Sequence, residues 1–314
     1  MDDQKSHWSA YWKTGSLTSL PQDFKRNYDG ELADFWGGAL NELPQSATVV
    51  DVCTGNLALP LLFSQLNVQV NKQLNLMAVD LARIEKSDIM KAFPEVSSYL
   101  DGITVFDETA VEAIDEKIDQ PVDMITSQYG LEYCETSIIA PQIYQLLKPG
   151  GCLVFVSHAT DTDILKSMKS EKEAFDILQK LKVFSVLKSF GEGRFQPAYF
   201  HKQLTKQLPA IHQALIKKPM QLLQVFHQAL GGLSQLSLDQ IATQQRAVKQ
   251  FYQQQWMAQM RAADLLWVSE KISNNPEWYL AFEAAGLVLE EQKNIWYKGK
   301  HNAGTSYKFR KPTK

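Results

Sequence analysis

No apolar run in the 314-residue sequence approaches the ~20 residues that a membrane-spanning helix needs, so no membrane span is expected. Cysteine is scarce: Cys53, Cys134 and Cys152 are odd in number and irregular in spacing, which suggests neither a disulfide framework nor a metal site. The opening residues, MDDQKSHWSAYW, lack the basic-then-apolar order of a signal peptide, and the expected location is cytoplasmic. No G-x-G-x-x-G fingerprint occurs, which argues against a nicotinamide dehydrogenase. Acidic residues are nearly missing from one long segment. Between 177 and 261, eleven basic residues face only Glu192 and Asp239, a net +9 that leaves −12 for the rest of a chain whose total is −3. One part of the molecule is therefore expected to meet an anionic partner.

What is present suits a folded protein, since 45% hydrophobic and 21% charged residues are globular values that argue against extensive disorder. The chain is organised around VVDVCTGNLAL, residues 49–59. A run of β-branched and apolar residues ends at Asp51, a short turn containing Gly55 follows, and helical spacing begins at Leu57. Strand, loop and helix in that order place backbone N–H groups and a helix N-terminus at the carboxyl edge of a parallel strand, where open α/β sheets bind ligands. A second strand, LNLMAVD, ends at Asp80, whose carboxylate could accept both hydroxyls of a ribose.

The alternation continues with ITVFD, then VDMITSQ running into YGLEYCE, then a helix expected to stop at Lys148-Pro149-Gly150-Gly151 before the strand CLVFVSH. Ahead of the first strand, Leu32, Phe35, Trp36 and Leu40 predict an amphipathic helix over 29–42. Residues 160 to about 268 break the alternation. They read as helices over 164–181, 204–215 and 220–230, the last stopped by Gly231-Gly232, and a long one opened by the capping-box pattern at Ser237. A helix, Gly286 and two strands close the chain.

In this order the motifs resemble class I S-adenosylmethionine (SAM)-dependent methyltransferases, with LLKPGGCLVFV the best single match. The family loop carries glycines at alternate positions, whereas here Cys53 and Leu57 flank Gly55. Leu57 is expected to push the helix away from the strand, and Cys53 to add a side chain where backbone usually approaches the ligand. The resemblance implies an α/β fold: a Rossmann-like seven-stranded methyltransferase sheet, mostly parallel with an antiparallel last strand, helices on both faces, and a helical insert. It implies four segments: an N-terminal aromatic helical lid over 1–46, a SAM-binding core over 47–160, a helical insert capping the substrate over 161–268, and the rest of the core over 269–314. SAM would be held by Asp51, Cys53, Thr54, Gly55, Asn56, Asp80, Leu81, Thr109, Ala110 and Gln128, with Trp12 and Tyr28 in the lid. Tyr129, Glu132 and His158 are the candidates to assist chemistry.

The implied activity is methyl transfer to a small-molecule acceptor, and the basic insert is compatible with an anionic one. An RNA methyltransferase is the alternative among enzymes, because Lys and Arg neutralise phosphates. A non-catalytic binding or scaffold protein on the same fold is the alternative outside them, motivated by Cys53 and Leu57. The sequence sets neither the acceptor nor an oligomeric state.

Overall fold

The computed structural model describes residues 2–19, 24, 26–70, 72–160 and 162–313; positions 1, 20–23 and 25 of the expected lid, and positions 71, 161 and 314, lie outside the described residues. The chain divides into two compact units, Met1–Thr162 with Val268–Lys314, and Asp163–Trp267.

In the first unit strands form where β-branched and apolar residues run between turn residues. In chain order its elements are α1 (Asp2–Trp12), α2 (Gly30–Asn41), β1 (Thr48–Val52), α3 (Ala58–Val70), β2 (Asn75–Val79), α4 (Lys86–Ala92), α5 (Ser97–Leu100), β3 (Ile103–Phe106), β4 (Val122–Gln128), α6 (Thr136–Leu146) and β5 (Leu147–Ser157). With β6 (Val288–Tyr297) and β7 (His301–Arg310) from the end of the chain, the seven-stranded sheet has the order β3-β2-β1-β4-β5-β7-β6. Strands β1 to β5 are parallel, and β7 runs antiparallel to both of its neighbours. This is the expected Rossmann-like sheet, and its strand order reverses between β1 and β4, where such sheets open a crevice for ligands.

Helix α2 buries Leu32, Trp36 and Leu40 at helical spacing, and Trp36 is fully buried together with Phe63 of α3. Burying side chains of this size contributes roughly 1.5–3 kcal/mol each. Around β5 and the closing strand, Phe155 stacks on Tyr307 at 4.8 Å and contacts Trp278 and Phe282. The Pro-Gly-Gly breaker behaves differently from the expectation. Helix α6 ends at Leu146, and Lys148 to Gly151 lie within β5 as a bulge, because pairing jumps from Val122–Leu147 to Met124–Cys152.

The second unit is helical: α7 (Asp163–Lys180), α8 (Val183–Gly191), α9 (Pro197–Lys217), α10 (Gln221–Ser234), α11 (Leu238–Thr243) and α12 (Gln245–Asn274), whose last turns belong to the first unit. Helix α10 continues through Gly231 and Gly232, correcting the expected stop. Both lie in its last turns, where a helical glycine costs only about 1 kcal/mol and buried Phe226 and Leu230 anchor the preceding turns. The capping box at Ser237 is present, with Gln240 as its partner, but it opens the short α11, and the long helix starts afresh at Gln245. Phe184, Leu204, Phe226 and Leu230 share the core of this unit. The chain closes in the first unit with α13 (Leu280–Ala284), β6 (Val288–Tyr297) and β7 (His301–Arg310). Among the described residues no helix is long and apolar enough to cross a membrane.

Candidate active site at the carboxyl edge of the sheet

Strand β1 ends where the backbone turns left-handed. Cys53, Gly55 and Leu57 have φ values of 54°, 55° and 64°, so left-handed residues recur at alternate positions although only one is glycine. For residues with a Cβ this costs roughly 1–2 kcal/mol, and the surroundings must hold it. Leu57 is wholly buried and its carbonyl accepts the Leu61 N–H at 2.9 Å, opening α3. Cys53 turns its side chain toward the loop after β4. A Cβ on Gly130 would come within 2.3 Å of the Cys53 Cβ, and the Cys53 Sγ lies 3.7 Å from that of Cys134. That thiol contact, then burial, pushes the Cys53 thiol well above its usual range.

Gly55 has a second reason to lack a side chain, because a Cβ there would come within 2.5 Å of the Trp12 ring. Trp12 of α1 is thus seated on the loop. Asn56, almost fully buried, fixes the segment there by donating to the carbonyls of Trp12 at 2.7 Å and Ser16 at 2.8 Å. Tyr28 is buried next to Tyr129, ring centroids 6.5 Å apart, and burial pushes its phenol well upward.

Three carboxylates are buried at this edge. Asp80 accepts the N–H groups of Gly55 and Ala82, both at 2.7 Å, and burial raises it to about 6 against the help of those bonds. Asp51 lies opposite Thr126 in the β1–β4 register and accepts its hydroxyl at 2.8 Å. Burial takes it to about 7, partly offset by the Thr54 and Thr126 hydroxyls. Glu132 accepts the His158 backbone N–H at 2.8 Å on Oε1, and burial takes it to about 7. His158 is pushed down to about 3 by burial, so its imidazole is neutral at physiological pH. It stacks on Tyr129 with centroids 4.6 Å apart and planes 9° apart, while the Tyr129 hydroxyl donates to the Ala303 carbonyl.

Four buried polar atoms here have no hydrogen-bond partner: Thr54 Oγ1 in the β1 loop, and Ser127 Oγ, Gln128 Nε2 and Glu132 Oε2. The last three come from the end of β4 and the turn after it. Each such atom costs about 1–3 kcal/mol, and the concentration of these three in six residues marks a place for a polar ligand. The Gln128 amide cannot be turned to hide its donor. Trp36 Nε1, which can only donate, reaches Gln128 Oε1 at 2.8 Å, so Nε2 points the other way.

The structure therefore gathers Tyr129, Glu132 and His158 into one contact group. On the other side of the crevice, Asp51, Thr54, Gly55 and Asp80 lie around the β1 loop. Thr109 is buried, donating its N–H to the Asp80 carbonyl at 2.8 Å, with half-buried Ala110 next in the chain; Leu81 is half-buried beside Asp80. The Asn56 side chain serves the lid contact. Sequence reasoning missed Ser127, Trp36, Cys134 and Lys271. Lys271 donates to the carbonyls of Glu132 at 3.2 Å and Cys134 at 2.9 Å, holding that turn. A polar Ser-Gln pair ending an apolar strand was the one local signal.

No family model matches the chain, and no curated protein matches it. Solved structures similar to part of it include a geranyl diphosphate C-methyltransferase from Streptomyces coelicolor A3(2) in complex with S-adenosyl-L-homocysteine, at 16% identity and a TM-score of 0.32, covering 40% of this chain and 42% of that one. The glycopeptide N-methyltransferase MtfA, also complexed with S-adenosyl-L-homocysteine, matches at 15% and 0.32 over 42% and 55% of the two chains. TrmN from Thermus thermophilus matches at 18% and 0.32 over 45% and 42%. The matches span less than two thirds of each of these solved chains. At such identities and TM-scores they are likenesses only, and the functional reading rests on this chain's own residues.

Proposed function

We propose that the protein binds SAM at the carboxyl edge of its sheet and transfers the methyl group to a small-molecule acceptor. The observation that carries this reading is the set of orphaned polar atoms at Ser127, Gln128 and Glu132, facing a left-handed loop and a buried strand-end carboxylate. These residues fit the cofactor. Asp80 would take the ribose hydroxyls on its remaining lone pairs, Thr109 and Ala110 the base, and Gln128 Nε2 and Ser127 the methionine part. Asp51 would sit near its positive charge. Bound SAM supplies a methyl group on a sulfonium leaving group, so the protein has chiefly to align donor and acceptor.

Within that alignment Glu132 is the best base. Its raised value near 7 is matched to neutral pH, and Oε2 is available to take an acceptor proton. His158 is too weak a base to hold a proton at that pH and serves, with Tyr129, as a wall of the acceptor site. Trp12 and Tyr28 keep water out.

A non-catalytic reading is favoured by one observation, the Trp12 ring seated on Gly55, which closes the loop with the protein's own side chain. Thermal unfolding separates the two. SAM and S-adenosylhomocysteine should raise the midpoint by several degrees where NADH does not, and Asp80→Ala should abolish the shift. No shift with either compound would leave the scaffold reading standing.

A further inference from the structure

The helical unit has a feature of its own that the methyl-transfer reading does not use. Helices α7, α8 and α12 enclose a groove of about 580 Å³ lined by Gln179, Lys182, Phe184, Ser185, Lys188, Tyr252 and Trp256. Tyr252 and Trp256 lie one turn apart on α12 with ring planes only 25° apart, a half-buried flat wall. Lys182 and Lys188 are exposed, and neither has an ion-pair partner among the described residues. The acid that bears on Tyr252, Glu192, is already paired with Arg194. Lys218 is likewise paired, with Glu173.

We propose that this groove binds single-stranded RNA, with a base stacked on the Tyr252–Trp256 wall and neighbouring phosphates on Lys182 and Lys188. Stacking on aromatic faces and lysines along a backbone path are the two components of strand binding that needs no sequence readout. A polyanion is favoured over a small anion by charge. The whole helical unit, residues 163–267, carries fourteen basic residues against seven acids, a net +7 that extends well beyond the groove and that a single small ligand would neutralise only in part. The inference does not rest on the SAM reading, and its test contains no cofactor.

The test is fluorescence anisotropy of a labelled oligouridylate of about 12 nucleotides with the full-length protein, between about 50 and 200 mM salt. Binding should weaken as salt rises. Trp256→Ala should weaken it by about tenfold, the loss of one stacked base, and Trp256→Phe should restore most of it. The Lys182→Ala/Lys188→Ala variant should make the logarithmic salt slope shallower by about 1.4, two single-strand phosphate contacts. A Lys202→Ala/Lys206→Ala variant, altering lysines outside the groove, should change affinity far less. Absence of binding, equal losses in the groove and distal lysine variants, or displacement by uridine monophosphate as effective as by the oligomer would each overturn the proposal.

Discussion

The two units handle uncompensated polarity in opposite ways. The sheet unit buries it: Asp51, Asp80 and Glu132 lie out of water with raised pKa values, and Ser127, Gln128 and Glu132 each keep an atom without a partner. The helical unit mostly displays it, with lysines in solvent beside an aromatic wall, and its two buried orphans among the described residues, Gln207 Oε1 and Gln259 Oε1, lie far apart in the sequence. A buried orphan is costly wherever it occurs, so a cluster of them at one sheet edge points to a small ligand that relieves it. An exposed, unpaired lysine costs almost nothing, and it becomes informative only in numbers and next to a stacking surface. The sheet site should accordingly be almost indifferent to salt and sensitive to pH, and the groove the reverse.

The largest effect is expected at Glu132. Glu132→Gln should lower turnover by roughly 10²–10⁴-fold, the range for losing a general base. It should also stabilise the free protein. A carboxylate raised from 4.5 to about 7 on folding binds a proton more tightly in the folded state, so its contribution declines as pH rises between those values. Relative to wild type, the variant should therefore gain up to about 3 kcal/mol between pH 4 and pH 8 by denaturant titration. A pH-independent difference would mean that Glu132 is solvated.

Asp80→Ala removes the acceptor of two buried amides as well as the ribose partner. SAM affinity should fall more than about 100-fold and stability by about 2–4 kcal/mol. Gly55→Ala forces a Cβ against Trp12 at a left-handed position. A loss of about 1–3 kcal/mol and a red-shifted tryptophan emission, as α1 leaves the loop, should follow. The smallest change is Trp36→Phe, which keeps most of the packing and frees the Gln128 amide to rotate. A few-fold rise in KM for SAM at unchanged kcat should result, and an unchanged KM would remove Gln128 from the cofactor site.

How legible this was depended on sequence distance. Asp51 and Asp80 could be read because each ends an apolar strand, and α2 because its apolar residues repeat at helical spacing. The left-handed backbone at Cys53 and Leu57 could not be read, since its usual signal is glycine and here the surrounding packing imposes it. Trp36 acts on Gln128 across 92 residues and Lys271 on the Glu132 carbonyl across 139, contacts to which no local pattern points. In the helical unit the glycine pair and the capping box were real, but a terminal glycine need not stop a helix and a cap need not open the longest one.

The central claim, that the buried carboxylates await a cationic ligand, is tested most directly by calorimetric titration of SAM near pH 6.5 in buffers of different ionisation enthalpy, with S-adenosylhomocysteine alongside. In the free protein Asp51 and Glu132 near 7 and Asp80 near 6 are partly protonated at that pH. A bound sulfonium and ammonium lower those values, so SAM should release about one proton and bind more tightly as pH rises to 8. The uncharged thioether product should release less. Binding without proton release and with equal affinity at both pH values, or no binding at all, would contradict the account.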